Sequence, residues 1–447
     1  MKDKITKCWE RRNLIEIAAI SSGNSIPAKD RAGKYAAKNG AGRYFISTKD
    51  VGFDGQVSPT TDVIIPPEAQ SQFKLAKHGS TLVCSEGGSA GRKVGFLEED
   101  AHYGNKLYAI TGSDEVDPKL IYYFCQTEDF MQQFRDRKTG LIGGVALSKF
   151  KTIEVPVPPL EEQQRIVEIL DETFEGLARA RAHAETNLSD LSELVGSQYD
   201  LAMSGMFCGP EPANDSVAQL LTETSEKRKL IKRAKKHTLK DDFVDTGNLR
   251  DGWQWVPLGD LTSKISDGVH KTPSYVNEGI PFIMVKNLTV GPSISFADTK
   301  FITESDHQEY IKRTHPEKDD ILITKDGTIG VVRKIETDRV FSIFVSLALV
   351  KPIDARLSDF LRIALQAPSV QEHIVPKGAA LKHLYLNDLR RLPIPIGPYS
   401  ELKQTVKRME EVASDLHQLQ LMFGRKLQDL DDLRQSLLQK AFAGELT

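Results

Sequence analysis

LQDLDDLRQSLLQKAFAGEL, Leu427 to Leu446, repeats a phrase that already stands earlier in the chain as LSDLSELVGSQYDLAMSG, Leu188 to Gly205. The two align without a gap at an offset of 239, setting Leu188 on Leu427, Leu191 on Leu430, Leu194 on Leu433, Ala202 on Ala441 and Gly205 on Gly444. Two unrelated amphipathic helices could share this spacing, so the offset has to be tested elsewhere. FISTKDV from Phe45 matches FIMVKNL from Phe282, and LVCSEGGSAG, Leu82 to Gly91, matches ILITKDGTIG, Ile321 to Gly330. DPKLIYYF from Asp117 matches DARLSDFL from Asp354, and EVPVPP near Pro156 matches LPIPIGP near Pro393. All occur in the same order at offsets of 237 to 239, so the chain reads as two copies of one unit.

Each copy opens with a strand-like or short helical segment, LIEIAAISSG or WVPLGDLTSKISDG. β-Rich stretches bounded by Gly, Asn and Asp turns follow: RYFIST, STLVCS, PFIMV, DDILIT and FSIFVSLALV. Asp117 with Pro118 predicts a helix start, with the helix running to about Arg135, and TESD from Thr303 predicts a capped helix to about Arg313. A PxP stretch, which proline keeps extended, precedes a long helix. The expected fold class is therefore mixed α/β: two tandem globules, each followed by one rod. The expected division is 1–158 first globule, 159–208 first rod, 209–250 basic linker, 251–397 second globule and 398–447 second rod.

The rods carry a seam of alternating threes and fours. In the first it comprises Leu170, Phe174, Leu177, Arg181, Ala184, Leu188, Leu191, Val195, Gln198 and Ala202. In the second it comprises Met409, Ala413, Leu416, Gln420, Phe423, Leu427, Leu430, Arg434, Leu437 and Ala441. A seam this narrow wants one partner helix, and the simplest partner is the other rod, paired antiparallel with a pseudo-two-fold axis. A plain helical bundle or a dimer interface would have the same spacing. A 45-residue helix is about 68 Å long, comparable to about 20 base pairs.

Composition is that of an ordinary globular protein, 40% hydrophobic and 27% charged, and 447 residues suggest about three units of ordinary domain size. No apolar run reaches membrane-spanning length and the start MKDKITKCWERRN has no signal-like stretch, so a cytoplasmic location without membrane association is expected. Cys8, Cys84, Cys125 and Cys208 show no metal or disulfide spacing and are expected reduced. The net charge of −3 is segregated: Leu160 to Gly205 holds 10 acidic against 3 basic residues, leaving the rest of the chain net basic. The acidic outer face of the first rod, with Glu161, Glu162, Glu168, Asp171, Glu172 and Glu175, is expected to repel polyanions and to be free to meet protein. EKRKLIKRAKKHTLK, Glu226 to Lys240, packs eight Lys and Arg between the copies and reads as a connector, over phosphates or simply extended by self-repulsion.

The order globule, PxP, long helix, twice over, resembles the DNA-specificity subunit of type I restriction-modification enzymes. The resemblance rests on FISTKDV with FIMVKNL, LVCSEGGSAG with ILITKDGTIG, PVPPLEEQQRIV at the head of the first rod, and LLQKAFAGEL. It implies two target recognition domains reading the halves of a bipartite site in double-stranded DNA. It also implies an antiparallel coiled coil docking two methyltransferase subunits and, through them, motor-endonuclease subunits, with no catalysis by this chain. Consistent with that, the sequence has no Asn-Pro-Pro-aromatic or Asp-Pro-Pro-aromatic loop and no GxxxxGK[ST] phosphate loop. It shows no His/Cys cluster of metal spacing, His78, His102, His237 and His315 standing singly, so no catalytic residue, metal or cofactor is expected. The alternative is a coiled-coil scaffold of a phage-defence system that binds protein rather than DNA; a nuclease site of scattered carboxylates is a third reading.

Base reading needs Arg, Asn or Gln at base edges, with Lys and Arg on phosphates, carried on loops. In the first globule the candidates are Arg43, Lys49, Ser89, Arg92, Lys93, Arg135, Arg137 and Lys138. In the second they are His270, Lys271, Lys286, Asn287, Lys325, Thr328, Lys377, Lys382 and His383. Positions that agree between copies, such as Lys49 and Lys286, suit scaffold or phosphate contact better than specificity.

Overall fold

The computed structural model describes all residues except 1–8, 37–40, 140–142, 208–214, 232–235, 241–242, 244, 246–248, 379–381 and 447. Cys8, Cys208, part of KNGAGR and part of the basic connector therefore lie outside the described residues. The chain divides into two compact units, residues 1–186 with 423–447 and residues 187–422.

The duplication read from the sequence is a duplication of topology. In the first unit a four-stranded antiparallel sheet has the order Ala18–Ser22, Leu107–Gly112, Thr81–Cys84, Val94–Phe96. The second unit repeats it with Thr262–Asp267, Leu347–Pro352, Ile321–Thr324 and Val332–Lys334. A smaller sheet in each pairs the FIST or FIMV strand parallel to a later one: Arg43–Ile46 beside Ala101–Tyr103, and Ile280–Ile283 beside Ser342–Ile343. The PxP segments are strands, Glu154–Val157 against Glu10–Asn13 and Pro393–Ile396 against Gln254–Pro257.

The strand equivalence differs from the ungapped alignment by one residue. Thr81 opposes Ile110 and Ile321 opposes Val350, an offset of 240. Leu82 thus corresponds to Leu322 rather than Ile321, and each of the two joins the core on the small-sheet side. The missing residue is taken from the glycine turn: Gly91 N donates to Cys84 O seven residues back, Gly330 N to Thr324 O six residues back, both at 2.8–2.9 Å. A one-residue slip reverses every side chain of a strand, so the buried faces decide the register where letter matching does not.

The helix expected from Asp117 to Arg135 is two helices, Pro118–Phe124 and Glu128–Asp136. Asp117 caps the first through Lys119 N at 2.8 Å. Thr127 interrupts it: its hydroxyl donates to Phe124 O at 2.8 Å and accepts from Phe130 N at 3.1 Å, offering the backbone an alternative to helix. Thr303 caps Glu304–Tyr310 as expected in kind, three residues shorter.

The rods are single helices, Leu160–Met203 and Tyr399–Phe442. They pair antiparallel: the first unit joins the N-terminal part of one to the C-terminal part of the other. There Phe174 meets Arg434 at 4.6 Å from the ring, and one turn pair further on Arg181 meets Asp431 at 2.5 Å. Leu170 is buried in one core with Leu438 and Ala441. In the second unit Ala202 and Met203 share a core with Leu402 and Met409. Seam positions Ala413 and Gln420 are nevertheless exposed.

A Trp–Glu contact marks the head of each rod, Trp9 Nε1 on Glu162 at 3.1 Å and Trp253 Nε1 on Glu401 at 2.7 Å. Each rod also ends on a left-handed glycine, Gly205 at φ +76 and Gly444 at φ +73. A Cβ on Gly205 would stand 2.7 Å from the Trp253 ring. Gly205→Ala therefore costs both the left-handed backbone and a ring collision, about 3 kcal/mol together. Gly87→Ala, with a similar φ of +83 and open space around it, costs only about 1 kcal/mol. Parallel urea titrations of the two variants separate strain from collision, and equal losses would remove Trp253 from the account.

Of the basic connector, residues 226–229 belong to a helix, and 232–235 lie outside the described residues. Val217–Lys229 is a helix capped by Ser216, with Leu220 and Thr224 buried. Its charges are spent within the second unit: Lys227 pairs Asp354 at 2.5 Å, and Arg228 pairs Asp260.

Candidate nucleic-acid interface

The glycine turn and the polar loop ahead of the PxP strand, far apart in sequence, are stapled together in both units. In the first, Val145 N donates to Ser85 O at 3.1 Å and Thr139 N to Gly144 O at 2.9 Å. In the second, Leu384 N donates to Lys325 O at 2.9 Å, and Lys377 and His383 exchange backbone bonds of 2.9 and 3.0 Å. Of the loops themselves, residues 140–142 and 379–381 lie outside the described residues.

In the first unit the turn gathers Ser89, Arg92, Lys93 and Lys49. Lys93 Nζ donates to Thr48 O at 2.9 Å, beside exposed Lys49, and Arg92 donates to Gly88 O. Both cations stand over Phe53, at 5.5 and 5.2 Å from its centroid, and Phe53 is 65% exposed. Lys49 also lines a cleft of about 690 Å³ with Arg31, Lys106 and the hydroxyl segments Ser47–Thr48 and Thr60–Thr61. Those segments are held by buried Asp50, which accepts from Ser47 N and Thr61 N at 2.7 and 2.9 Å and from both side-chain hydroxyls. Burial alone would raise the Asp50 pKa, but these donors outweigh it and hold the carboxyl below its usual range.

Three other candidates of this unit are committed to the protein. Arg137 ties the end of its helix to Thr152, donating to Gln133 O and Thr152 O at 2.9 Å. Arg135 pairs Glu128 and donates to Gln132 at 3.0 Å. Arg43 donates to Gln70 at 3.1 Å and lies 3.7 Å from Asp100 on the small sheet. Lys138 stays exposed over the Phe134 ring.

The second unit builds its end differently. Lys325, expected at the surface, is 2% exposed and lies 3.1 Å from Asp267, itself buried at the end of Thr262–Asp267. Arg313 pairs the same carboxylate and reaches His270 Nε2 at 3.1 Å. Lys325 Nζ lies 3.3 Å from His383 Nε2, while the other ring nitrogen of His383 meets Asp326. Half-exposed Tyr385 stands edge-on to that imidazole at 5.0 Å. Burial would raise the Asp267 pKa, but the Lys325 hydrogen bond and charge, with Arg313, leave it depressed. Thr328, Lys271 and Lys382 are exposed, and Lys377 pairs Asp388 at 2.9 Å.

Asn287 is buried, with its side-chain amide bonded within the protein. Its Oδ1 accepts from Met284 N at 2.9 Å and its Nδ2 donates to Ser295 O and Thr299 Oγ1, matching the part Asp50 plays in the first copy. Lys286 pairs Asp298 at 2.6 Å. Phe53, Arg313, Asp267 and Tyr385 were not singled out from the sequence. An apolar residue in a polar turn was the available sign for Phe53; none marks Asp267, whose partners are 46 and 58 residues away.

The acidic face of the first rod is also partly turned inward: Glu162 accepts from Trp9, and Asp171 from Lys119 at 2.7 Å and from the Tyr123 hydroxyl. Glu161, Glu168, Glu172 and Glu175 are exposed. Among the described residues no group of His, Cys, Asp and Glu could hold a metal ion, and no helix is long and apolar enough to cross a membrane.

The type I restriction modification DNA specificity domain matches the chain twice, over residues 6–182 and 250–422. The chain belongs to that family. The two matches fall on the two topological copies, each carrying its own turn-and-loop end. Relatives include the specificity subunits of the type I restriction enzymes EcoBI of Escherichia coli, 26% identical over 66% of this chain and 58% of its own length, and EcoKI of Escherichia coli K12, 19% identical over 87% and 79%. The EcoAI subunit of Escherichia coli is 22% identical over 69% and 61%, so the chain spans about three fifths of the length of some relatives. Among solved structures, a chain from work on complex assembly and conformational transition of the type I R-M system aligns over 99% of both chains, with a TM-score of 0.70 and 17% identity. The HsdS subunit from Thermoanaerobacter tengcongensis aligns with a TM-score of 0.52 and 17% identity, over 98% of this chain and 97% of that one. At these identities the likeness concerns the fold of this family of DNA specificity domains.

Proposed function

We propose that this chain is the sequence-reading subunit of a type I restriction-modification complex. Its two recognition domains, residues 1–158 and 251–397, each read half of a bipartite site in duplex DNA, and the paired rods dock two methyltransferase subunits and, through them, the motor-endonuclease subunits. The chain itself performs no chemistry and works in the cytoplasm. The observation that carries the reading is that the scaffold is duplicated while the polar ends diverge. Topology, rod heads and the Asp50/Asn287 staple repeat, whereas one end presents Arg92, Lys93 and Phe53 and the other His270, Arg313, His383 and Tyr385. Two readers on one scaffold need this combination, with shared parts holding register and different side chains meeting different bases.

Base-resolution methylome sequencing of a host expressing this chain with its modification subunit, against the same host without it, tests the proposal. Methylated adenines at one split motif, two specific halves around an unspecified spacer, are expected. No new methylation, with the modification subunit proven active beside another specificity chain, favours the protein-binding scaffold.

A further inference from the structure

The gapless +237 match of FISTKDV to FIMVKNL continues two residues further and sets Phe53 on Val290. Val51 and Leu288, two residues before them, are both fully buried, so the chain is anchored in the core just ahead of this point in both copies. Beyond the anchor the two side chains emerge: Phe53 is 65% and Val290 74% exposed. A single exposed apolar residue needs no explanation, but the same position left exposed and apolar in both copies does. Both sites also lie beside cations. Arg92 and Lys93 stand over Phe53, and Arg333 holds the backbone next to Val290, donating to Gly291 O at 2.6 and 3.1 Å.

We infer that Phe53 and Val290 are the apolar reading residues of the two domains, each meeting the 5-methyl group of a thymine in the major groove of its half-site. This inference rests on the DNA-reading function proposed above. Apolar contact with that methyl is the way an aliphatic or aromatic side chain recognises a base edge. A wedge that unstacks a base step is the other use of an apolar tip on DNA, but valine is too short and too stiff to serve at the equivalent place. The residues also agree in exposure and differ in identity, as positions facing different half-sites should. Positions facing two copies of one protein would be expected to agree in both. Lys49, Arg92 and Lys93 then supply the phosphate contacts that set Phe53 in register.

The test uses the chain assembled with its modification subunit and duplexes carrying the motif found by methylome sequencing, in which thymines are replaced singly by deoxyuridine, removing only the methyl group. Wild type is expected to lose about fourfold in affinity at one thymine in each half-site, the worth of one buried methyl. Phe53→Ala removes that sensitivity in one half-site only, Val290→Ala in the other only, and Phe53→Leu retains part of it. Half-sites without thymine, no methyl-sensitive thymine, or losses from Phe53→Ala and deoxyuridine that simply add, each overturn the inference while leaving the split motif standing. Weaker binding of the modification subunit by Phe53→Ala, with methyl sensitivity unchanged, also overturns it. That result would place a protein partner in the groove of about 790 Å³ that Phe53 borders with Phe174 and Arg434. Absence of any split motif instead sinks the proposed function itself. The substituted side chains are exposed, so unchanged unfolding midpoints are expected for all three variants.

Discussion

Lys325→Met lowers the unfolding free energy of the second unit by about 3 to 5 kcal/mol, the loss seen when one partner of a buried ion pair is removed. The lysine is 2% exposed and its closest anionic partner, Asp267, is nearly as buried. Arg313 and His270 also touch Asp267, but both are more than half exposed and cannot replace a buried charge. Urea unfolding followed through Trp253 and Trp255 measures the loss, and the double variant Lys325→Met with Asp267→Asn should recover most of it, because no buried charge is left alone. The pH dependence follows from the depressed Asp267 pKa. Stability from a depressed carboxylate is fully present above its unfolded value of about 3.9 and is lost as pH falls through the folded value. The gap between wild type and Lys325→Met therefore narrows below about pH 4. A gap constant down to pH 2 would show that Asp267 is not the group responsible. Ser22 and Ser85 occupy the matching places in the first unit, so the equivalent change there has no such effect.

Asp354→Ala loosens the connector helix at its Lys227 end, while Arg228–Asp260 and buried Leu220 still hold it. Asp354 is 6% exposed, caps the turn Ala355–Leu357 through Arg356 N at 3.0 Å, and binds Lys227 of Val217–Lys229 and the Arg356 guanidinium. Arg356 in turn pairs Glu223 of the same helix at 2.8 Å. Losing the cap and two ion pairs whose cations are half exposed costs about 2 kcal/mol. Limited trypsin digestion gives the direct readout, since Lys227, Arg228 and Lys229 become more cleavable when this end of the helix loosens; cleavage at the wild-type rate would refute the latch. Burial would raise the Asp354 pKa, but the hydrogen bonds from Arg356 and Lys227 drive it far below the usual carboxylate range. The wild-type latch therefore holds at any pH above about 4 and yields only in strong acid.

The repeat was legible because it is a matter of order: matching phrases at one offset persist however the loops fold. The rods were legible for the same reason, a seam of threes and fours being a local property of the chain. The polar ends were only half legible. Their turn and loop were both found, yet Lys325 and Asn287 read as surface readers because Lys and Asn are surface residues by default. Asp267 and Thr299, the partners that bury them, are 58 and 12 residues away. The head of the connector shows a related effect: Lys227 and Arg228 meet Asp354 and Asp260, carboxylates that belong to a different part of the sequence.

By itself, then, the sequence determined the duplication, the alternation of globule and rod, the extended proline strands and the helix caps, all set by local periodicity and backbone chemistry. The tertiary structure decided the one-residue register of the central strands, which charges are buried, and which loops share an end. Each of these depends on partners brought together only when the sheets close, so no window along the chain contains it.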